Sequence, residues 1–132
     1  MDIREYDIKA LAYIGDAVYE LYVRRHIMQN SHEQVNKLHK KAVKYVSARA
    51  QAYVIECIEN KFTEAEHAIF KRGRNAVSNT VPKNTDVITY KIATGFEAVV
   101  GYLYLNGEKD RLEEVLCQSI EVIENKKEEK LC

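Results

Sequence analysis

The apolar positions of this chain recur at helical spacing and nowhere alternate for long. Leu11, Ile14, Val18 and Leu21 form one stripe, and Ile88, Ile92, Phe96, Val99 and Leu103 form another. Both follow the three-and-four spacing of a helix face. One proline and five glycines leave few places to break helices, so the pattern predicts an all-α fold. A first helix is expected over about Asp7 to Gln29. "SHEQ" reads as a capping box of Ser31 and Gln34 opening a second helix. Ser47 is placed to cap a third over Ala48 to Ile58, with one continuous rod through both helices as the alternative, and "TEAE" repeats the capping box with Thr63 and Glu66 ahead of a short helix that stops near Gly73. The one long loop is "NAVSNTVPKNT". A fifth helix begins near Asp86 and a last, amphipathic and acidic one near Lys109, with residues 124–132 read as a frayed tail.

Two of these helices stand apart. "ALAYIGDAVYELYV" and "YKIATGFEAVVGYLYL" are apolar on almost every side, which predicts that both are mostly buried. Each nevertheless carries a carboxylate beside a glycine, Asp16 after Gly15 and Glu97 two residues after Gly95. Glycine inside a helix costs about 1 kcal/mol against alanine, so Gly15, Gly95 and Gly101 point to close helix crossing. A crossing there brings Asp16 and Glu97 together. Two carboxylates in a partly desolvated site repel, and a divalent cation removes that repulsion; the other possibility is that each pairs with a basic side chain. Glu20, one turn beyond Asp16, can face the same site or pair with Arg24 at i+4.

At 132 residues, 46% of them hydrophobic, the chain fits a single domain. Its 20 Lys+Arg balance 20 Asp+Glu, so distribution carries the information. Residues 37–55 hold Lys37, Lys40, Lys41, Lys44 and Arg49 with no acid, and residues 67–85 hold Lys71, Arg72, Arg74 and Lys83 with none. Segregated cations suit phosphate-backbone binding, although a charged helix face is commonly just solvated. "KRGRNAVSNTVPKNT" adds amide and hydroxyl groups to its cations, so Lys71, Arg72, Arg74, Asn75, Lys83, Asn84 and Thr85 are the candidates for contacts to phosphates and sugar hydroxyls, the alternative being an ordinary surface loop.

The tyrosines, among them Tyr13, Tyr19, Tyr102 and Tyr104, fall in apolar helices and are expected in the core with hydroxyls at its edge. Three unpaired cysteines support neither a disulfide framework nor zinc. The four histidines show neither an HExxH motif nor a nucleophile partner. No apolar run approaches a membrane span and "MDIREYDIK" is too charged for a signal peptide, so a cytoplasmic protein is expected.

"LAYIGDAVYELYVR" resembles the signature helix of the ribonuclease III domain, and "ATGFEAVVGYLYL" resembles that domain's second acidic motif. With "KRGRNA", "PKNTD" and no double-stranded RNA-binding module following in the sequence, the resemblance narrows to mini-ribonuclease III. It implies an endoribonuclease that hydrolyses both strands of an RNA duplex, requires Mg2+, leaves 5′-phosphate ends and works as a homodimer. It also implies a role in maturing the ends of the 23S ribosomal RNA precursor. Matched residue by residue, Asp16 and Glu97 fall on metal-binding carboxylates. Lys9, Ala12 and Thr94 stand where larger relatives carry acids, which leaves open the alternative of a catalytically weak RNA-binding helical module.

Overall fold

The computed structural model describes residues 2–29, 31–78 and 80–129, with side chains through residue 126. Among these there are six α-helices and no strand: α1 (Ile8–Met28), α2 (Val35–Val46), α3 (Ala48–Ile58), α4 (Glu64–Arg74), α5 (Val87–Leu105) and α6 (Lys109–Glu129), with 3-10 turns at Ile3–Glu5 and Glu59–Lys61. None is long and apolar enough to cross a membrane.

Local chemistry sets most boundaries. Ser47 ends α2 in an extended conformation and caps α3, its hydroxyl accepting from Ala50 N–H at 3.2 Å, so the two helices are separate rods. Thr63 and Glu66 form the capping box of α4, and Asp86 caps α5 by accepting from Thr89 N–H at 2.8 Å. The expected box at Ser31 and Gln34 does not form. Ser31 accepts instead from Glu33 N–H, and extended Gln34 holds the N-cap position without a side-chain bond, so α2 starts at Val35. The last helix runs through Glu129, inside the stretch expected to fray; residues 130–132, Cys132 among them, lie outside the described residues. Cys57 and Cys117 are free.

Helix α5 is the axis of the fold. It packs against α1, α3, α4 and α6 and buries Phe96, Val99, Val100 and Leu103 completely. Two close crossings, each built on glycine, set its position. A Cβ on Gly15 would stand 1.7 Å from the Glu97 carbonyl oxygen, and one on Gly101 1.9 Å from the Leu11 oxygen, so α1 and α5 touch backbone to backbone. On another side of α5, a Cβ on Gly73 would reach the Gly95 Cα at 2.8 Å. Gly73 therefore belongs to the α4–α5 contact, and α4 continues one residue past it to Arg74.

This geometry corrects the reading of α1. Its buried line is Leu11, Gly15, Tyr19 and Val23, not the stripe ending at Leu21, because the helix approaches α5 through the glycine. Leu21 is 71% exposed and Tyr13 83% exposed, so α1 is covered on one side only. Of the tyrosines, Tyr19 is fully buried, its ring edge-on to Phe96 at 5.0 Å and its hydroxyl donating to Tyr45 O at 2.9 Å. Tyr13 and Tyr104 are at the surface. Across the fold, buried Glu66 receives Arg111 in a two-pronged ion pair, 2.9 and 2.8 Å, tying α4 to α6.

Candidate active site

Residues spaced by three, four and seven share a helix face, so α1 turns Lys9, Ala12, Tyr13 and Asp16 to one side. The crossing at Gly15 sets that side against Tyr90, Thr94 and Glu97 of α5. Together with Ser78 and Thr80 from the α4–α5 connection they line a cleft of about 380 Å³. Asp16 and Glu97 thus meet in one cavity, and the three positions where acids are replaced, Lys9, Ala12 and Thr94, line the same walls.

The two carboxylates are not equivalent. Asp16 is exposed, contrary to the burial expected of it, because the side of α1 next to it is bare; Glu97 is half-buried. The Glu97 carboxyl is pushed up to about 8, first by burial, then by the negative charge of Asp16 and a side-chain hydrogen bond with it. Glu20 adds a smaller push in the same direction, and the Gln51 amide opposes it. Near neutral pH the pair therefore favours a proton or a cation between its members. Glu20 itself takes the i+4 partner, with Arg24 Nη2 at 3.4 Å.

The donor set fits Mg2+. That ion takes hard oxygen ligands and retains several waters, needing one or two carboxylates and little else from protein. Asp16 and Glu97 supply those; Ser78, Thr80 and Thr94 line the same cavity, with the Thr94 hydroxyl donating to Tyr90 O at 3.0 Å. Among the described residues no group of three or more His, Cys, Asp or Glu side chains is arranged to hold a metal. A cation here would rest on two carboxylates, water and substrate.

The candidate RNA-binding residues are spread over one flank. Arg72 turns back onto the N-terminal segment, donating to Arg4 O at 2.9 Å and Tyr6 O at 3.4 Å. Arg74 lies over the Phe70 ring at 5.5 Å and donates to Asn75 Oδ1 at 3.4 Å. Lys71 and Lys83 are exposed, and Asn84 takes the left-handed conformation, φ 68°, in the turn after Pro82. Asn84 and Thr85 line a second groove with Ser47 and Arg49. Lys44 and Arg49 make no ion pair among the described residues and border a further groove with Tyr53 and Lys126.

Sequence reading missed Gln51. It is 1% exposed, and its amide nitrogen donates to Glu97 Oε2 at 3.3 Å and Val46 O at 3.0 Å. The signal was available: in "ARAQAYVIECI" Gln51 holds the register of Val54, Ile55 and Ile58, all buried, where an apolar residue belongs. Ser78 and Thr80 gave no such signal, since only the folded connection brings them to the cleft.

Comparison with known families gives the class of this helical domain. Residues 9–108 match the ribonuclease III domain, and the chain belongs to the ribonuclease III family. It is similar to the mini-ribonuclease 3 of Thermoanaerobacter sp. (53% identity, covering 86% of this chain and 80% of the relative) and to that of Streptococcus pneumoniae (50% identity, 87% and 91%). A crystal structure of a Fusobacterium nucleatum protein superposes with a TM-score of 0.82 at 32% identity, covering 91% of this chain and 96% of that one. The chain is accordingly an endoribonuclease of the ribonuclease III class.

Proposed function

We propose that this enzyme hydrolyses double-stranded RNA with Mg2+ held by Asp16 and Glu97, as a cytoplasmic homodimer, and that its natural substrate is the precursor of 23S ribosomal RNA. The observation that carries this reading is the meeting of Asp16 and Glu97 in one cleft, with Glu97 pushed up to about 8 by burial and its partner's charge. Mg2+ bound there would supply an activated water and offset charge on the reacting phosphate.

The remaining functions fall to the chain's own groups. Lys9, which makes no ion pair among the described residues, lines the cleft and offers its ammonium to the RNA backbone. The hydroxyls of Ser78 and Thr80 are placed for phosphate or ribose contacts. Grip on the duplex falls to Lys71, Arg72, Arg74, Asn75, Lys83, Asn84 and Thr85, consistent with the shape-based recognition that A-form RNA requires.

The bare face of α1 supports the dimer. Tyr13, Leu21 and Met28 are exposed along it, and Val35 and Val43 of α2 continue it beside a groove lined by Ile27, Leu38 and Val46. An apolar surface of this kind is covered in a two-fold dimer by its own copy. Two sites then face two strands. The 23S precursor as substrate is what the resemblance of "LAYIGDAVYELYVR" and "ATGFEAVVGYLYL" to mini-ribonuclease III implies.

The deciding experiment is cleavage of end-labelled duplex RNA with Mg2+ and then with EDTA, using wild type, Asp16→Asn and Glu97→Gln. Wild type should cut only with Mg2+, and each variant should lose at least about 1,000-fold in kcat while still binding duplex, as expected on removing a charged group acting on the reacting centre. Normal turnover by either variant at saturating Mg2+ would refute the assignment.

A further inference from the structure

Three polar side chains are buried among the described residues: Gln51, Glu66 and Ser119. Glu66 is satisfied by Arg111 and the Thr63 cap, and Ser119 donates to Val115 O at 2.7 Å within its own helix. Gln51 alone leaves an atom unpaired, its Oε1, which is buried without a partner. A buried carbonyl left so is unfavourable, and an apolar side chain of the same bulk would avoid that cost. Gln51 sits at a core register of α3, where local rules call for such a side chain. A rule broken at one position beside a reactive group marks function more often than stability.

What the position gains is the amide nitrogen. The Val46 carbonyl can only accept, so the nitrogen end of the amide faces it, and the same nitrogen reaches Glu97 Oε2. Val46 is the last residue of α2, its carbonyl one of the helix-end groups that lack an intrahelical partner. The Ser47 break fixes that carbonyl in place. Gln51 therefore bridges a rigid backbone point and one oxygen of Glu97, restricting rotation of the carboxylate. A lysine or arginine could make the same bridge, but it would neutralise Glu97 and compete with a cation. The amide donates a hydrogen bond and adds no charge.

We propose that Gln51 is a positioning residue of the active site: its buried amide nitrogen anchors the Glu97 carboxylate to the end of α2 and so presets it for the cation it shares with Asp16. This rests on the reading of Asp16 and Glu97 as the metal-binding pair. Gln51 touches neither RNA nor cation, and its effect passes through Glu97.

The test uses the full chain carrying Gln51→Met, which keeps length and bulk and removes both amide contacts. Duplex affinity in EDTA should stay within about twofold of wild type, since the substituted group only supports a ligand. The dissociation constant for Mg2+ without RNA, measured by calorimetry, and kcat should each worsen by about 10- to 100-fold, the usual cost of losing a group that orients a metal ligand. In a Glu97→Gln background the same change should add nothing to the Mg2+ result. Wild-type kcat and Mg2+ affinity in Gln51→Met would overturn the proposal. Should that variant lose its helical circular dichroism, Gln51→Asn, whose amide is one methylene short of Glu97, carries the same readouts with the same expectation. If neither variant folds, Gln51 is a structural residue and the proposal fails. Undiminished cleavage by Asp16→Asn and Glu97→Gln would instead refute the reading of the pair, whatever Gln51 does.

Discussion

Helices α1 and α5 are close to interchangeable as sequences and opposite as structures. Both are apolar nearly all round, both put glycine beside a carboxylate, and they meet at a backbone contact that tolerates no Cβ on Gly15 or Gly101. Yet the middle of α5 is enclosed by α1, α3, α4 and α6, and only its ends, at Val87, Ile88, Tyr104 and Leu105, reach solvent, whereas α1 leaves Tyr13, Leu21 and Met28 bare along its length. An all-round apolar pattern states that a helix is to be covered without stating by what. For α5 the cover is this chain; for α1 part of it is left to a partner, which in the proposed assembly is a second copy. The carboxylates inherit the difference. Glu97 is half-buried and its ionisation is opposed, while Asp16 is exposed at the open edge.

The most severe way to break the comparison is to force the two helices apart. Gly15→Val should fail to fold or lose more than about 4 kcal/mol, because its Cβ would overlap the Glu97 carbonyl, and backbone on a packed helix has no room to yield. Thermal melting followed by circular dichroism reads this directly, and a variant melting near wild type would show that the helices can separate at little cost.

Next in size is Glu97→Gln. The Glu97 carboxyl is raised above its ordinary value, so its contribution to stability is present at low pH and is lost as pH climbs from about 4.5 through about 8. In EDTA the wild-type melting temperature should therefore fall across that window. Glu97→Gln should remove this slope and be the more stable protein at pH 9, by on the order of a few kcal/mol, since each tenfold change in proton affinity on folding corresponds to about 1.4 kcal/mol. Added Mg2+ should restore wild type and leave the variant unmoved. A wild-type slope that persists in Glu97→Gln would place the titrating group elsewhere.

Leu21→Glu probes the uncovered side of α1. At 71% exposure the substitution disturbs little within one subunit, so the helical circular dichroism of the folded chain should be unchanged. Sedimentation at micromolar concentration should nonetheless shift from dimer to monomer. A dimer unchanged by a charge at the centre of this face would move the interface away from α1.

These contrasts mark what was legible in the sequence. The Ser47 and Thr63 caps, the start of α5 near Asp86 and the close approach at Gly15 and Gly101 follow from local rules that act over a few residues, whereas the split between α2 and α3 is decided only by the extended Ser47. Burial is a property of neighbours, and there the pattern misled: it placed Leu21 and Tyr13 inside and Asp16 out of water. Within the candidate site, the chain pattern pointed to the two acids because charge in an apolar helix is conspicuous. Gln51, uncharged in an otherwise apolar register, was quieter, and Ser78 and Thr80 depend on the path of a connection that no periodicity describes.

The smallest expected effect concerns the grip on RNA, where the acid-bearing helices supply Lys9 as the one cation lining the cleft among the described residues. If the flank formed by α4 and the following loop holds the duplex, Arg72→Ala with Arg74→Ala should weaken binding and flatten the dependence of log K on log salt by about 0.7 to 0.9 for each phosphate no longer neutralised. The two arginines are not alike. Arg72 holds the carbonyls of Arg4 and Tyr6, so its removal also loosens the N-terminal segment, while Arg74 rests on the Phe70 ring with its guanidinium near the surface. Single variants separate these roles: Arg74→Ala should change the salt slope and leave melting nearly untouched, and Arg72→Ala should lower melting as well. kcat at saturating RNA should fall far less than in Asp16→Asn, because neither side chain lines the cleft. Unchanged affinity and salt slope in the double variant would shift the grip to Lys44 and Arg49, whose side chains make no ion pair among the described residues and border the grooves on either side of Ser47.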